Sequence, residues 1–216
     1  VDLFGPALGM DEPVPVGAGG ALVEFEWIGG DNLLGEFVGG SGTRGAQTTS
    51  ADAAIRYTTS GGTNELALIE WKYTEEYRSA KRDAKKQPTR DKRYRHLFEA
   101  ADGPIVVGAV PYEDFYVEPV YQLFRLTLLA RELERTRADI DRVRVVYCAP
   151  ARNQRLWASL NESHKKAGAD LATFWTAMQR DPGRFVVVDT ARFVADDSPT
   201  SPEFKARYGH IAGGVK

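Results

Sequence analysis

A chain of 216 residues, 43% hydrophobic and 27% charged, is long enough for one packed domain and has an ordinary globular composition. No apolar run approaches the roughly 20 residues that cross a bilayer, and no secretory pattern opens the chain. The single cysteine, Cys148, excludes an internal disulfide and any multi-cysteine metal site. The net charge of −2 hides an asymmetry: Arg78, Lys81, Arg82, Lys85, Lys86, Arg90, Lys92, Arg93 and Arg95 face only Asp83 and Asp91 in one segment, which points to a polyanion at one place.

In chain order, residues 1–20 are rich in Pro and Gly without periodicity and read as an extended lead-in. A domain over 21–195 and a polar tail over 196–216 follow. Residues 21–29 alternate as a strand, with Glu24 and Glu26 on one face and Val23, Phe25 and Trp27 on the other; 32–38 suggests a second short strand. Gly40–Gly45 matches GxGxxG in letters. A strand pattern follows it where a dinucleotide site needs a helix N-terminus, so it reads as a turn. Residues 50–59 and 65–73 form two strands about a glycine turn. The basic residues from Arg78 recur at helical spacing until Pro88 interrupts the helix. Residues 103–114 begin as an apolar strand or loop. Residues 119–137 carry the clearest helical stripe: Leu123, Leu126, Leu129 or Ala130, and Leu133. Strand (142–150), helix (153–180) and strand (184–190) complete an α/β chain, a mixed central sheet flanked by helices.

One strand poses a chemical question. Glu65–Tyr73, ELALIEWKY, is apolar until Glu70 and Lys72, which share a face because strand residues two apart point the same way. A charge in a dry interior costs several kcal/mol unless it pairs or binds an ion. Asp52, on the preceding strand, lies where a bend or stagger brings a second carboxylate toward Glu70. Two converging carboxylates suit Mg²⁺, which takes few protein oxygens and keeps several waters, and a lysine beside them stabilises charge developing on a phosphate.

Asp52 followed across the hairpin by Ile69-Glu70-Trp71-Lys72 resembles the PD-(D/E)xK motif of restriction-endonuclease-like nucleases, with Ala51 in place of the motif's proline. The resemblance implies a restriction-endonuclease-like core. Asp52, Glu70 and the Trp71 backbone carbonyl would hold Mg²⁺ (Mn²⁺ is expected to substitute), and Lys72 would assist the attacking water. It implies a metal-dependent hydrolase of DNA, an endonuclease leaving a 5′-phosphate. Several branches carry a Gln and a second polar residue on the helix after the motif, which singles out Gln122 and Arg125, although Leu126 stands where one branch has Tyr. Glu36 is a candidate third carboxylate. Arg78, Lys81, Arg82, Lys85, Lys86, Arg90, Lys92 and Arg93 are the expected DNA contacts. The family's helix before the first core strand has no visible counterpart in 1–20, so an upstream segment or a partner protein is expected to supply it; cutting both strands would favour a homodimer. The alternative is a catalytically inactive nucleic-acid-binding domain on the same fold. A decoy, Glu203-Phe204-Lys205 after Asp189, lacks an apolar strand leading into it. His96, His164 and His210 are scattered and read as structural or surface residues, and Cys148 reads as a buried hydrophobe in a reducing, cytoplasmic protein.

Overall fold

The computed structural model describes residues 3–37, 48–77 and 84–211. It is a mixed α/β structure built on a six-stranded sheet. The chain runs through α1 (Gly5–Leu8), β1 (Met10–Val14), β2 (Val23–Trp27), β3 (Ala51–Thr59), β4 (Asn64–Trp71), α2 (Gln87–Arg90), a π-helical turn (Asp91–Arg95) and α3 (His96–Phe98). It continues with α4 (Val120–Thr136), β5 (Arg142–Ala149), α5 (Gln154–Trp157), α6 (Glu162–Lys165), α7 (Leu171–Met178), β6 (Phe185–Asp189) and α8 (Pro202–Tyr208).

The strand order is β1-β3-β4-β5-β6, and β2 also pairs with β3. Antiparallel β1 covers the Arg56–Thr59 end of β3 and antiparallel β2 the Ala51–Ile55 end. β3 and β4 form a hairpin whose turn closes with Gly62 at φ 79, a left-handed conformation that glycine adopts without a Cβ clash. β4–β5 and β5–β6 are parallel, so the chain crosses over between β4 and β5, carrying α4 onto one face of the sheet. β4 is buried on both faces, which is why NELALIEW reads as nearly continuous apolar sequence instead of alternating.

Two cores flank the sheet. Leu123, Leu126, Leu129, Ala130 and Leu133 of α4, with Phe174 and Trp175 of α7, pack on Leu66, Leu68, Val143 and Val145. On the opposite face Phe4, Leu8 and Phe193 pack on Ile55, Ile69, Val146 and Cys148, and Phe204 of α8 lies against them. Each such large side chain contributes about 1.5–3 kcal/mol by leaving water.

Several expectations are corrected. Residues 5–14 are not a loose lead-in: α1 buries Leu8 and β1 is a sheet strand, its Pro13 tolerated because the strand lies at the edge. Residues 32–37 form turns in place of a strand, with the Asn32 side chain accepting from the Glu36 N–H at 2.7 Å. The helix expected from Arg78 lies largely outside the described residues; Pro88 itself sits in the first turn of α2, where its missing N–H costs nothing. The tail contains α8, packed on the second core. Phe25, expected on the apolar face of β2, is 79% exposed.

Candidate active site

The hairpin register pairs Ala53 with Ile69; continued by one residue it sets Asp52 opposite Glu70. The pairing itself stops at Ala53–Ile69, and from one residue beyond it the Asp52 carboxylate acts electrostatically on Glu70. Asp52 is half-buried and its Oδ2 accepts the Trp71 N–H at 2.7 Å. Since the N–H and C=O of one strand residue turn to the same side, the Trp71 carbonyl is directed toward β3 as well. The Trp71 ring packs edge-on against Phe193, centroids 4.8 Å apart, and fixes this strand end from the opposite face.

Glu70 is 0% exposed and Lys72 6%. Lys72 Nζ donates to Glu70 Oε1 at 2.5 Å, while Glu70 Oε2 is buried without a hydrogen-bond partner among the described residues. Burial pushes the Glu70 carboxyl up to about 7. The adjacent Asp52 charge adds to that rise, and the Lys72 and Arg125 cations oppose it. Burial works against the Lys72 ammonium, but the Glu70 carboxylate and the neighbouring Tyr77 and Asp52 outweigh it and hold its pKa above the usual lysine value. The Lys72 backbone N–H continues the parallel ladder to the Cys148 carbonyl at 2.8 Å, so the lysine is anchored in the sheet and not on a loose loop.

The residues expected around this core fall in different places. Arg125 of α4 acts on Glu70 electrostatically; its Nη1 approaches Thr49 Oγ1 at 3.4 Å and its guanidinium lies 4.8 Å over the Tyr121 ring. Gln122 presents its backbone N–H to the Glu118 carboxylate. The Glu36 carboxylate is occupied by the Thr49 N–H (2.5 Å), Thr49 Oγ1 (2.6 Å) and the Tyr94 hydroxyl (2.6 Å). Among the described residues no three His, Cys, Asp or Glu side chains gather to hold a metal, so Glu36 does not complete Asp52 and Glu70 into a triad; it braces the segment entering β3. Asp52, Glu70 and the Trp71 carbonyl are hard oxygen donors, and one buried carboxylate oxygen among them lacks a partner. That set fits Mg²⁺, which binds through one or two carboxylates and waters.

The basic segment is not one uniform solvated face. Arg78, Lys81 and Arg82 lie outside the described residues. Lys85, Lys86 and Lys92 are exposed. Arg90 is turned inward, 4.5 Å over the Tyr121 ring and 5.1 Å over the Tyr116 ring, and Arg93 donates to the Glu36 carbonyl at 2.8 Å. The Gly40–Gly45 run also lies outside the described residues. Glu203 of the decoy is exposed on α8 and is not on a sheet strand. His164 is buried in the capping box of α6, His210 bonds the Tyr73 hydroxyl at 2.9 Å, and burial pushes the Cys148 thiol pKa up, consistent with inert packing.

Three further residues around Glu70 and Lys72 were not assigned to the site from the sequence. The Tyr77 hydroxyl hydrogen-bonds Lys72. Glu118, just before α4, is raised by burial and held down by Arg125, Lys72, the Gln122 N–H and Arg90, and its Oε2 is buried without a partner among the described residues. Tyr147 stands opposite Glu70 in the β4–β5 register, its hydroxyl likewise unpartnered. The only sequence signal was for Glu118, a carboxylate immediately before a helix-starting proline; Tyr147 requires the parallel register.

A mixed sheet whose hairpin end opposes Asp and Glu beside a buried Lys is the arrangement of restriction-endonuclease-like proteins. The chain belongs to the family described as Restriction Endonuclease associating with ARP, whose model matches residues 6–209. No curated protein and no solved structure matches the chain. Among the described residues no helix is long and apolar enough to cross a membrane.

Proposed function

We propose that the protein is an Mg²⁺-dependent nuclease that hydrolyses DNA phosphodiester bonds endonucleolytically. Asp52 and Glu70 would hold the metal with the Trp71 carbonyl, and Lys72 would assist the attacking water. The family supports a nuclease, and the observation that carries the site assignment is the buried, unpartnered Glu70 Oε2 opposite Asp52. When bound, Mg²⁺ supplies Lewis-acid neutralisation of charge on the phosphate. The chain's own groups do the rest. Lys72 shifts its N–H donors from Glu70 to the water and to the charge developing on a non-bridging oxygen. Water attacks phosphorus in line, the P–O3′ bond breaks, the water's proton passes to solvent, and the departing 3′ oxygen is protonated from solvent. Arg125 offsets part of the negative charge at Glu70. Lys85, Lys86 and Lys92, exposed after the motif, would hold the flanking phosphates, making binding fall steeply with salt. The family name also couples its members to ARP, and we take association with a partner protein to be part of this chain's function.

The test is cleavage of supercoiled plasmid and of linear single- and double-stranded DNA in Mg²⁺, Mn²⁺ or EDTA, with Lys72→Ala and Asp52→Ala alongside. Metal-dependent nicking lost in both variants is expected. Salt-sensitive binding without cleavage under any metal would replace this reading with a binding module on the same fold.

A further inference from the structure

The sheet edge beside Asp52 differs in kind from the rest of the site's surroundings. β1 and β2 follow one another along the side of β3 that β4 does not take, β1 on its Arg56–Thr59 end and β2 on its Ala51–Ile55 end. Among the described residues β2 pairs with β3 alone, so it is an edge strand. Every second residue of an edge strand turns its N–H and C=O away from its one neighbour, where a further strand can take them. β1 is guarded by Pro13 and by a register shift after Met10. β2 has no proline and pairs regularly through Val23, Glu24 and Phe25. Glu26, at φ 52, steps out of the pairing before Trp27 rejoins it at Ala51. The open stretch is therefore Val23, Glu24 and Phe25.

This stretch carries an apolar anchor. Cross-strand partners point to the same face, so Phe25 shares the face of Ala53 and Ile69, on which the second core is built. At the margin of that core Phe25 is 79% exposed, and Leu22, just before the strand, is also exposed. Single exposed apolar residues are ordinary; two of them on an unpaired strand edge mark a place where another chain can add.

The charge of the edge specifies the chemistry of what adds. β1 and β2 carry Asp11, Glu12, Glu24 and Glu26, and no lysine or arginine precedes Arg44 in the chain. The arginine of β3, Arg56, is held by Asp139 at 2.9 Å and does not neutralise them. Such a surface repels DNA, whose phosphates are expected on the lysines of a different segment. A second copy pairing here across a two-fold axis would bring Glu24 and Glu26 against their own equivalents, which is destabilising. An extended segment with Lys or Arg beside an apolar residue meets both the acids and Phe25.

We propose that this stretch of β2 is the docking edge for a partner protein, which adds a basic, extended segment to the sheet as a further strand and packs an apolar side chain on Phe25. The proposal rests on the reading that association with a partner is part of this chain's function. It places the partner on the strand paired to both chain neighbours of Asp52, Ala51 and Ala53.

The probe is a short fluorescent peptide alternating Lys with Val and Phe, titrated into the full chain and followed by anisotropy and by hydrogen–deuterium exchange. Binding with slowed exchange in Val23–Trp27 is expected. Affinity should fall about tenfold in Phe25→Ser and in Glu24→Lys, the scale of one interface anchor, while plasmid cleavage by both variants stays at the wild-type level. The same peptide N-methylated throughout keeps its charge and loses its strand N–H donors, and should bind about tenfold more weakly or less. No binding of the peptide, equal binding of its N-methylated form, or equal binding by Phe25→Ser overturns the docking edge. A pull-down from a lysate of the source cells separates this proposal from the reading beneath it. Proteins retained equally by the wild type and Phe25→Ser overturn the edge and leave the association standing. None retained by either form sinks the association reading and this proposal with it.

Discussion

The two ends of β4 each bury a glutamate, and they treat it differently. At the start, Glu65 takes the Arg144 guanidinium on both oxygens, at 2.6 and 3.2 Å, and the Tyr57 hydroxyl at 2.7 Å. At the finish, five residues on, Glu70 takes one ammonium on one oxygen, and the other has no partner among the described residues. Both sit in the same strand and both face a cation, so burial and charge alone do not separate them. Saturation does. A fully bonded buried pair holds the hairpin to β5, whereas an under-bonded one beside a second carboxylate is a site with capacity for something more.

That contrast can be broken by mutation. The largest effect on activity is expected at the under-bonded end: Lys72→Met should lower plasmid cleavage by about 10²–10⁴-fold, and, because it strands the buried Glu70, it should also lower the unfolding midpoint in urea. Cleavage that survives in the folded variant would remove Lys72 from the chemistry. At the saturated end, Glu65→Ala strands the Arg144 guanidinium and should cost about 3–5 kcal/mol of unfolding free energy, read by urea titration at constant m-value. If it costs less than Glu70→Gln, the assignment of roles to the two ends is inverted.

The pH dependence sharpens the same comparison. The folded Glu70 carboxyl, at about 7, lies above its ordinary 4.5. Its contribution to stability is therefore fully present below about pH 4.5 and is lost as pH rises through 7. Between pH 6 and 8 metal-free wild type should lose more thermal stability than Glu70→Gln, and Mg²⁺ should raise the wild-type Tm more at pH 8 than at pH 6. Asp52→Asn should blunt both effects; equal slopes in all three proteins would remove the carboxylate pair from the account. The smallest effect is at the decoy: Glu203→Ala, at an exposed position on α8, should leave both the urea midpoint and cleavage at their wild-type values.

Much of the site was legible before folding. An apolar run ending in Glu-x-Lys, with an Asp across a glycine turn, already fixes the candidate site's placement, because strand periodicity puts Glu70 and Lys72 on one face whatever surrounds them. The α4 stripe and the β5 and β6 runs were legible for the same reason, that local periodicity survives into the packed state. The lead-in was misread because β1 is an edge strand of five residues with a proline, and only its pairing to β3 makes it a strand. Glu36 was misjudged because its donors, Thr49 and Tyr94, are distant in sequence.

The sequence by itself determined the α/β class, the hairpin and the shared face of Glu70 and Lys72, since each follows from spacing within one or two neighbouring strands. Only the tertiary structure decided which charges are saturated, that Arg90 and Arg93 turn inward, that Tyr77 bonds the lysine, that the Glu118 charge acts on it and that Tyr147 stands opposite Glu70. Those outcomes depend on the parallel β4–β5 register and on where α4 lands on the sheet, contacts between residues dozens of positions apart that no local pattern encodes.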